Sequence, residues 1–252
     1  EGSGVDGGGY PSSFRTIANG KRAMAEKFQF GLVVRGQAEA GEDISRRFQE
    51  TLAFVRLAGQ LGYDSVTKTA HYSAHPFQML QLVPMLARFA AEAPNMRFNA
   101  GVLLLPLLSP LHVAEEFATL DVITGGKIIL GVGLGYRDVE FKAFGVPRNQ
   151  RAKRFEANLT AIQRLWTEEK VTMKTPYFEL EEASCSPHPI QKPNPPIWIG
   201  ANADAAGRSL RTSSPRAPIT QHTLRAYSPV RLVASSTYGA LARRPGSPPR
   251  NL

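Results

Sequence analysis

The chain is short of cysteine, of long apolar runs and, beyond Arg208, of every charged residue but arginine. Its single cysteine, Cys185, excludes an internal disulfide. No apolar run approaches the roughly 20 residues that a membrane-spanning helix needs. The N-terminus lacks the charged-then-apolar order of a signal peptide. A soluble, cytoplasmic protein with no membrane partner is therefore expected. From Arg208 to Leu252 there are eight arginines, no lysine and no acidic residue. The formal net charge of +9 is thus a property of the ends. Arg15, Lys21 and Arg22 outweigh Glu1 and Asp6 at the start, and the residues between Met24 and Gly207 balance to zero. Neither end interleaves its charge with aromatics or carries a nucleic-acid module, so no nucleic-acid partner is expected.

Three regions follow from composition. Residues 1–23 are glycine-rich and read as a disordered or non-native extension. Residues 24–206 alternate apolar strands and amphipathic helices. Residues 207–252 mix Arg, Ser and Pro without a sustained helical period, and that composition buries too little surface to order itself. They read as a basic tail, disordered or out of frame, with a natural disordered tail as the alternative.

Within the middle region the periods predict strands over Phe28–Val34, Tyr63–Thr69, Met96–Leu105, Lys127–Val132 and Ile197–Gly200. Helices are predicted over Asp43–Leu61, Phe77–Ala91, Leu111–Ile123 and Gln150–Trp166. Pro84 is expected to kink or split the second helix. An excursion rich in Glu and Pro fills Lys170–Pro195, and Ala201–Ala206 begins another helix. Strict alternation leaves two architectures, an open doubly wound sheet or a closed barrel. The periods do not separate them.

The densest signal is Asp121-Val-Ile-Thr-Gly-Gly-Lys-Ile-Ile-Leu-Gly-Val-Gly-Leu-Gly-Tyr-Arg. Gly125-Gly126 ends a helix, and Lys127–Val132 is a strand covered on both faces. Gly131, Gly133 and Gly135 leave its exit bare of side chains, so that a flat or anionic ligand could approach the backbone. The spacing is not the dinucleotide fingerprint, because no long helix follows directly.

Residues 28–206 resemble the bacterial luciferase-like monooxygenases. The resemblance rests on an ordered set of motifs: Leu61-Gly-Tyr-Asp-Ser-Val with Ala70-His-Tyr; Gly101-Val-Leu-Leu-Leu-Pro-Leu-Leu-Ser-Pro; the Ala118–Arg137 segment with Glu140-Phe and Phe144-Gly; and Pro187-His-Pro-Ile-Gln-Lys-Pro-Asn-Pro-Pro-Ile-Trp-Ile-Gly. It implies an α/β fold, an incomplete (β/α)8 TIM barrel of about five β/α units, truncated after strand five. It also implies a flavin-dependent monooxygenase acting with reduced FMN and O2 on a small organic substrate. A separate flavin reductase would be the partner, and a homo-oligomeric parent enzyme fits the family. The alternatives are an F420-dependent hydride-transfer oxidoreductase and a non-catalytic flavin-binding fragment.

The resemblance places the site on the rim formed by the strand exits. His71 is the implied catalytic proton-transfer residue; its plain reading is a hydrogen bond to a backbone carbonyl. Asn99 and Ala100 lie in strand three, where a non-proline cis peptide is implied beneath the cofactor ring. Gly133 and Tyr136 follow strand four. Gly200, Ala201 and Asn202 open the helix after strand five, whose free N–H groups suit a phosphate. The luciferases' reactive cysteine and arginine are matched here by Gly133 and Leu134, so light emission is not expected. Ala70 stands where an acidic residue often precedes the histidine. No metal site is expected, because Pro76 interrupts any regular helix through His71 and His75. Trp166 and Trp198 read as core, and Cys185 as inert.

Overall fold

The computed structural model describes residues 29–201 and the backbone of strand residues 230–234. The extension 1–23 and most of the basic tail lie outside the described residues; of the helix expected over Ala201–Ala206, Ala201 instead ends a strand and the rest, Asn202 included, lies outside them.

The central sheet is parallel and runs in chain order. Its strands are β1 (Gly31–Val34), β3 (Ser65–Lys68), β5 (Arg97–Ala100), β7 (Ile128–Gly133), β10 (Ile197–Ala201) and β11 (Val230–Ala234), with the short β6 (Leu103–Leu104) also against β7. Each strand lies beside its predecessor, and the order never reverses. That settles what the periods left open, since a doubly wound sheet must switch direction at some strand while a barrel never does. β11 is a sixth position in the sheet, in register with β10 from Ile197↔Val230 to Ala201↔Ala234. No strand was expected there; the Arg/Ser/Pro content of residues 207–252 masked the short run Val-Arg-Leu-Val-Ala.

Helix α1 (Ile44–Gln60) starts where Asp43 accepts hydrogen bonds from the N–H groups of Ser45 and Arg46, at 2.9 and 3.1 Å. It buries Leu52, Val55 and Ala58, but Leu61, expected on the same stripe, is exposed. Helix α2 spans Leu82–Glu92, shorter than expected. Gln78–Met79 instead forms strand β4, paired antiparallel with β2 (Gln37–Ala38). Pro84 falls in the first turn of α2, where the backbone N–H has no intrahelical acceptor to lose, so it neither kinks nor splits the helix. Strand three is not continuous. It breaks between β5 and β6 at Gly101–Val102, a cis non-proline peptide in the segment where the resemblance implies one.

Helix α3 (Pro110–Ile123) buries Val113, Phe117 and Leu120 as expected, while Ile123 is exposed at its end. Helix α4 (Asp138–Ala143) is the short helix between the glycines and Gly145. Helix α5 (Arg151–Thr167) buries Phe155, Ile162, Leu165 and Trp166, whose Nε1 donates to the Ala114 carbonyl at 2.9 Å. Packing of these helices on the sheet makes one main core around Phe89, Phe98, Phe117, Leu130 and Ile199. Trp198 stands outside it, half-buried, because successive strand residues alternate faces and Ile197 and Ile199 take the helix side.

The excursion after α5 is an antiparallel ribbon, β8 (Val171–Lys174) with β9 (Glu179–Ala183), that the sequence did not announce. Its return is tied down by Asp121. This fully buried carboxylate accepts from the Gln191 backbone N–H at 2.8 Å and from Gln191 Nε2 at 2.7 Å. Asp121→Ala is expected to lower stability by about 1–3 kcal/mol, since Gln191 keeps buried donors without that acceptor. Urea denaturation checks it, and an unchanged midpoint would mean that water replaces the carboxylate.

Candidate active site

The informative residues gather where the parallel strands end. After β3 the chain runs Thr69-Ala70-His71-Tyr72, after β5 it turns through Gly101–Val102, and after β7 it passes Gly133 to Arg137 and enters α4. His71 is the pivot. Its Nδ1 lies 2.9 Å from Oε1 of Glu140, on the buried face of α4. A carboxylate that accepts there assigns the proton to Nδ1. Nε2 then holds the lone pair, and it has no hydrogen-bond partner among the described residues. The Tyr72 N–H donates to the same Glu140 oxygen at 3.1 Å, and an Arg137 nitrogen lies 3.5 Å from it.

Glu140 is fully buried, and its second oxygen, Oε2, has no partner among the described residues. Two neighbours secure the loop that carries the histidine. Arg137 donates to the carbonyls of Tyr72 and Ser73 at 3.0 and 3.2 Å, and Gln81 Nε2 donates to the His71 carbonyl at 3.2 Å. The Arg137 side chain is thus occupied by this loop rather than spread into solvent. Burial, reinforced by Glu116 and Glu140, pushes the Tyr72 hydroxyl above the usual phenol range.

Tyr136 meets His71 edge to face, with ring centroids 5.9 Å apart, and is 60% exposed. It caps the imidazole from the open side. Asn99 lies deeper: its Nδ2 donates to Thr67 Oγ1 at 3.2 Å, while Oδ1 is buried with no donor. Ala100 points its side chain into the helix-side core, so only its backbone faces the rim.

The glycines have a different use from the one expected. A Cβ on Gly131 would fall inside the Ala100 carbonyl oxygen. On Gly133 it would meet Val102 Cγ2 at 2.7 Å, and on Gly200 it would meet Val102 Cγ1 at 2.9 Å. The bare backbone lets β7 press against β5 at Gly131 and lets β7 and β10 close on Val102. Gly133 and Gly200 therefore offer a ligand backbone only, with Val102 already beside them. Ala201 ends β10, and nothing further of the expected phosphate loop is described.

The match to known proteins decides the lineage. The family model for luciferase-like monooxygenase covers residues 28–210. The chain belongs to the luciferase-like monooxygenase family. Among its relatives is 4-hydroxyprotoasukamycin monooxygenase of Streptomyces nodosus subsp. asukaensis, 28% identical over 77% of this chain and 53% of the relative. Another is the F420-dependent glucose-6-phosphate dehydrogenase of Microbacterium testaceum, 31% identical over 63% of this chain and 48% of the relative. The crystal structure of monooxygenase RslO1 from Streptomyces bottropensis superposes with a TM-score of 0.67 at 27% identity, over 74% of this chain and 57% of that one. The chain spans about half the length of the curated relatives it matches.

Within this family member, sequence reasoning quoted Glu140 as part of a motif and gave it no role. Its partner is 69 residues away in the chain, and no local period couples them. One signal was available: position 70, next to the histidine, is alanine, so a carboxylate for the imidazole had to come from elsewhere. Cys185 is buried, and burial with Glu115 nearby pushes its thiol up to about 11, which keeps it unreactive. Among the described residues no group of His, Cys, Asp and Glu could hold a metal, and no helix is long and apolar enough to cross a membrane.

Proposed function

We propose that this chain forms the cofactor-facing part of a flavin-dependent monooxygenase that uses reduced FMN and O2 on a small organic substrate, with the flavin supplied by a separate reductase. The His71–Glu140 pair carries the reading. A buried carboxylate fixes the histidine tautomer and stabilises the imidazolium that forms when Nε2 takes a proton. Tyr136 shields the ring from one side, and Arg137 holds the loop in place. Asn99 supports the presence of a planar cofactor, because its buried Oδ1 needs a donor and a ring N–H would supply one. When bound, reduced flavin provides the electrons that activate oxygen. His71 moves protons beside it, and Asn99 with the backbone at Ala100 and Gly133 orients it.

A second reading has a specific observation in its favour. The F420-dependent relative matches as well in identity as the monooxygenases do. In that reading His71 would take the proton of a substrate hydroxyl, and bound F420 would supply the hydride acceptor. The test is to mix the protein with reduced FMN, with and without O2, or with oxidised F420 and a small alcohol, and to follow the redox state of the cofactor and the product. Oxygen-dependent product formation with FMN supports the monooxygenase. Oxygen-independent exchange with F420 would replace it.

The cofactor phosphate is proposed to sit at Gly200-Ala201-Asn202, where β10 ends and the sequence predicts a helix. Asn202→Asp is expected to weaken FMN binding clearly and Asn202→Ala less, because like charges repel where backbone donors otherwise favour an anion. Riboflavin, which lacks the phosphate, should bind both variants about equally. Undiminished FMN affinity in the aspartate variant would move the phosphate elsewhere on the rim.

A further inference from the structure

Lys68 ends β3 on the same face of the strand as the core residue Val66, and its ammonium stays at the strand-exit end, beside the segment that follows β1. It is fully buried, among the largest side chains hidden in the fold. Its ammonium donates to two neutral acceptors, the Arg35 carbonyl at 3.2 Å and the Thr69 carbonyl. An ammonium has three protons to place, and no carboxylate pairs with it among the described residues. Beside it is a cavity of about 30 Å³, walled by Gly36, Gln37, Arg47, Thr51 and apolar residues including Phe48 and Leu80. Arg47 is the other charged residue of that wall. Its nitrogens also reach Glu42 and Glu50, each at 3.1 Å, and neither glutamate lines the cavity.

A buried charge without a counter-charge is a costly arrangement, and folded proteins normally offset it by pairing. Here the geometry offers a buried ammonium, polar neutral groups and room for a small ion, while Arg47 on the outer wall is exposed and already paired with Glu42 and Glu50. From this we infer that the cavity under Lys68 is a binding site for a small monovalent anion of chloride size. The site ties together the segments that follow β1 and β3, because Lys68 already bridges the carbonyls of Arg35 and Thr69. It is separate from the His71–Glu140 pair and does not depend on which cofactor the family reading assigns.

The pH behaviour follows. Burial pushes the Lys68 ammonium down to about 8, so it carries its charge at pH 7. A lysine whose folded value lies below its ordinary one destabilises the fold at low pH. That cost is relieved as pH rises from about 8 towards the ordinary lysine value, where the unfolded chain binds more protons than the folded one. An anion in the cavity stabilises the charged folded form and flattens this alkaline rise. Among the described residues the only other charged group lining the site is Arg47 of α1, which is paired with Glu42 and Glu50. The segments Gly36–Ala38 and Leu80–Met85 contribute no titratable group to the cavity wall.

The experiment titrates sodium chloride at pH 7 against thermal unfolding, holding ionic strength with sodium gluconate, whose anion is too large for the cavity. A saturable rise of about 2–4 °C is expected for the wild type, the size produced by a weakly bound ion in several-fold excess over its dissociation constant. The rise should fade above pH 9, and Lys68→Met should abolish it. Equal responses to chloride and gluconate, or an undiminished chloride response in Lys68→Met, would overturn the site. Chloride-35 line broadening on the wild type gives a second measurement that needs no variant. It should exceed the broadening of the same chloride solution without protein at pH 7, fall when bromide competes for the site, and shrink by pH 10; broadening independent of pH would refute the role of Lys68.

Discussion

His71→Ala is expected to lower oxygen-dependent turnover by about 10²–10⁴-fold, the usual range for a residue that transfers a proton in the rate-determining chemistry. Reduced-flavin binding should change much less, because the imidazole is held by the protein: Glu140 on Nδ1, Tyr136 against the ring and Gln81 on the carbonyl. Glu140→Gln separates positioning from mere presence. The amide keeps the shape of the carboxylate but loses the charge that stabilises an imidazolium, and an outer partner of this kind typically accounts for about 10–100-fold. The pair of variants is read by turnover and by flavin titration. Turnover within about twofold of wild type in His71→Ala would remove the histidine from the mechanism and leave the His71–Glu140 bond as a loop fastening.

Gly131→Ala is expected to cost more than about 3 kcal/mol, at the severe end for a single added methyl group. The added Cβ lands on the carbonyl oxygen of Ala100, a backbone atom that cannot swing aside as a side chain would, and 2.9 Å from Asn99 Oδ1. Strand β7 is buried along its whole length, so neither neighbour has space to retreat. Gly145→Ala is the comparison: its φ of 65° strains an alanine, but nothing lies within 4 Å of the new methyl, so about 1 kcal/mol is expected from conformation alone. Urea midpoints of the two variants test this. Equal costs would mean that β5 and β7 are not pressed together at Gly131.

Which residues were legible beforehand follows from how each is encoded. His71 stood out because a strand exit and a motif mark it. Glu140 lay inside a quoted motif, yet its meaning depends on a contact between α4 and the loop after β3. Pro84 shows the opposite failure: proline in a helical pattern signals a kink only if the helix has already begun, and the start at Leu82 was hidden by the apolar run from Phe77. Strand β11 was lost for a third reason, because five apolar-leaning residues cannot outweigh the composition of the forty around them.

The sequence by itself determined the alternation of strands and helices, the stripes that make the core and the family to which the chain belongs. Those depend on periods of two and 3.6 residues and on ordered motifs, all of which are local. Only the tertiary structure decided the barrel-type strand order, the closure of β7 and β10 on Val102, the carboxylate behind His71 and the burial of Lys68 beside a cavity. Each of these joins residues tens of positions apart. Close packing rather than chain proximity sets what they touch, and a linear pattern does not carry that information.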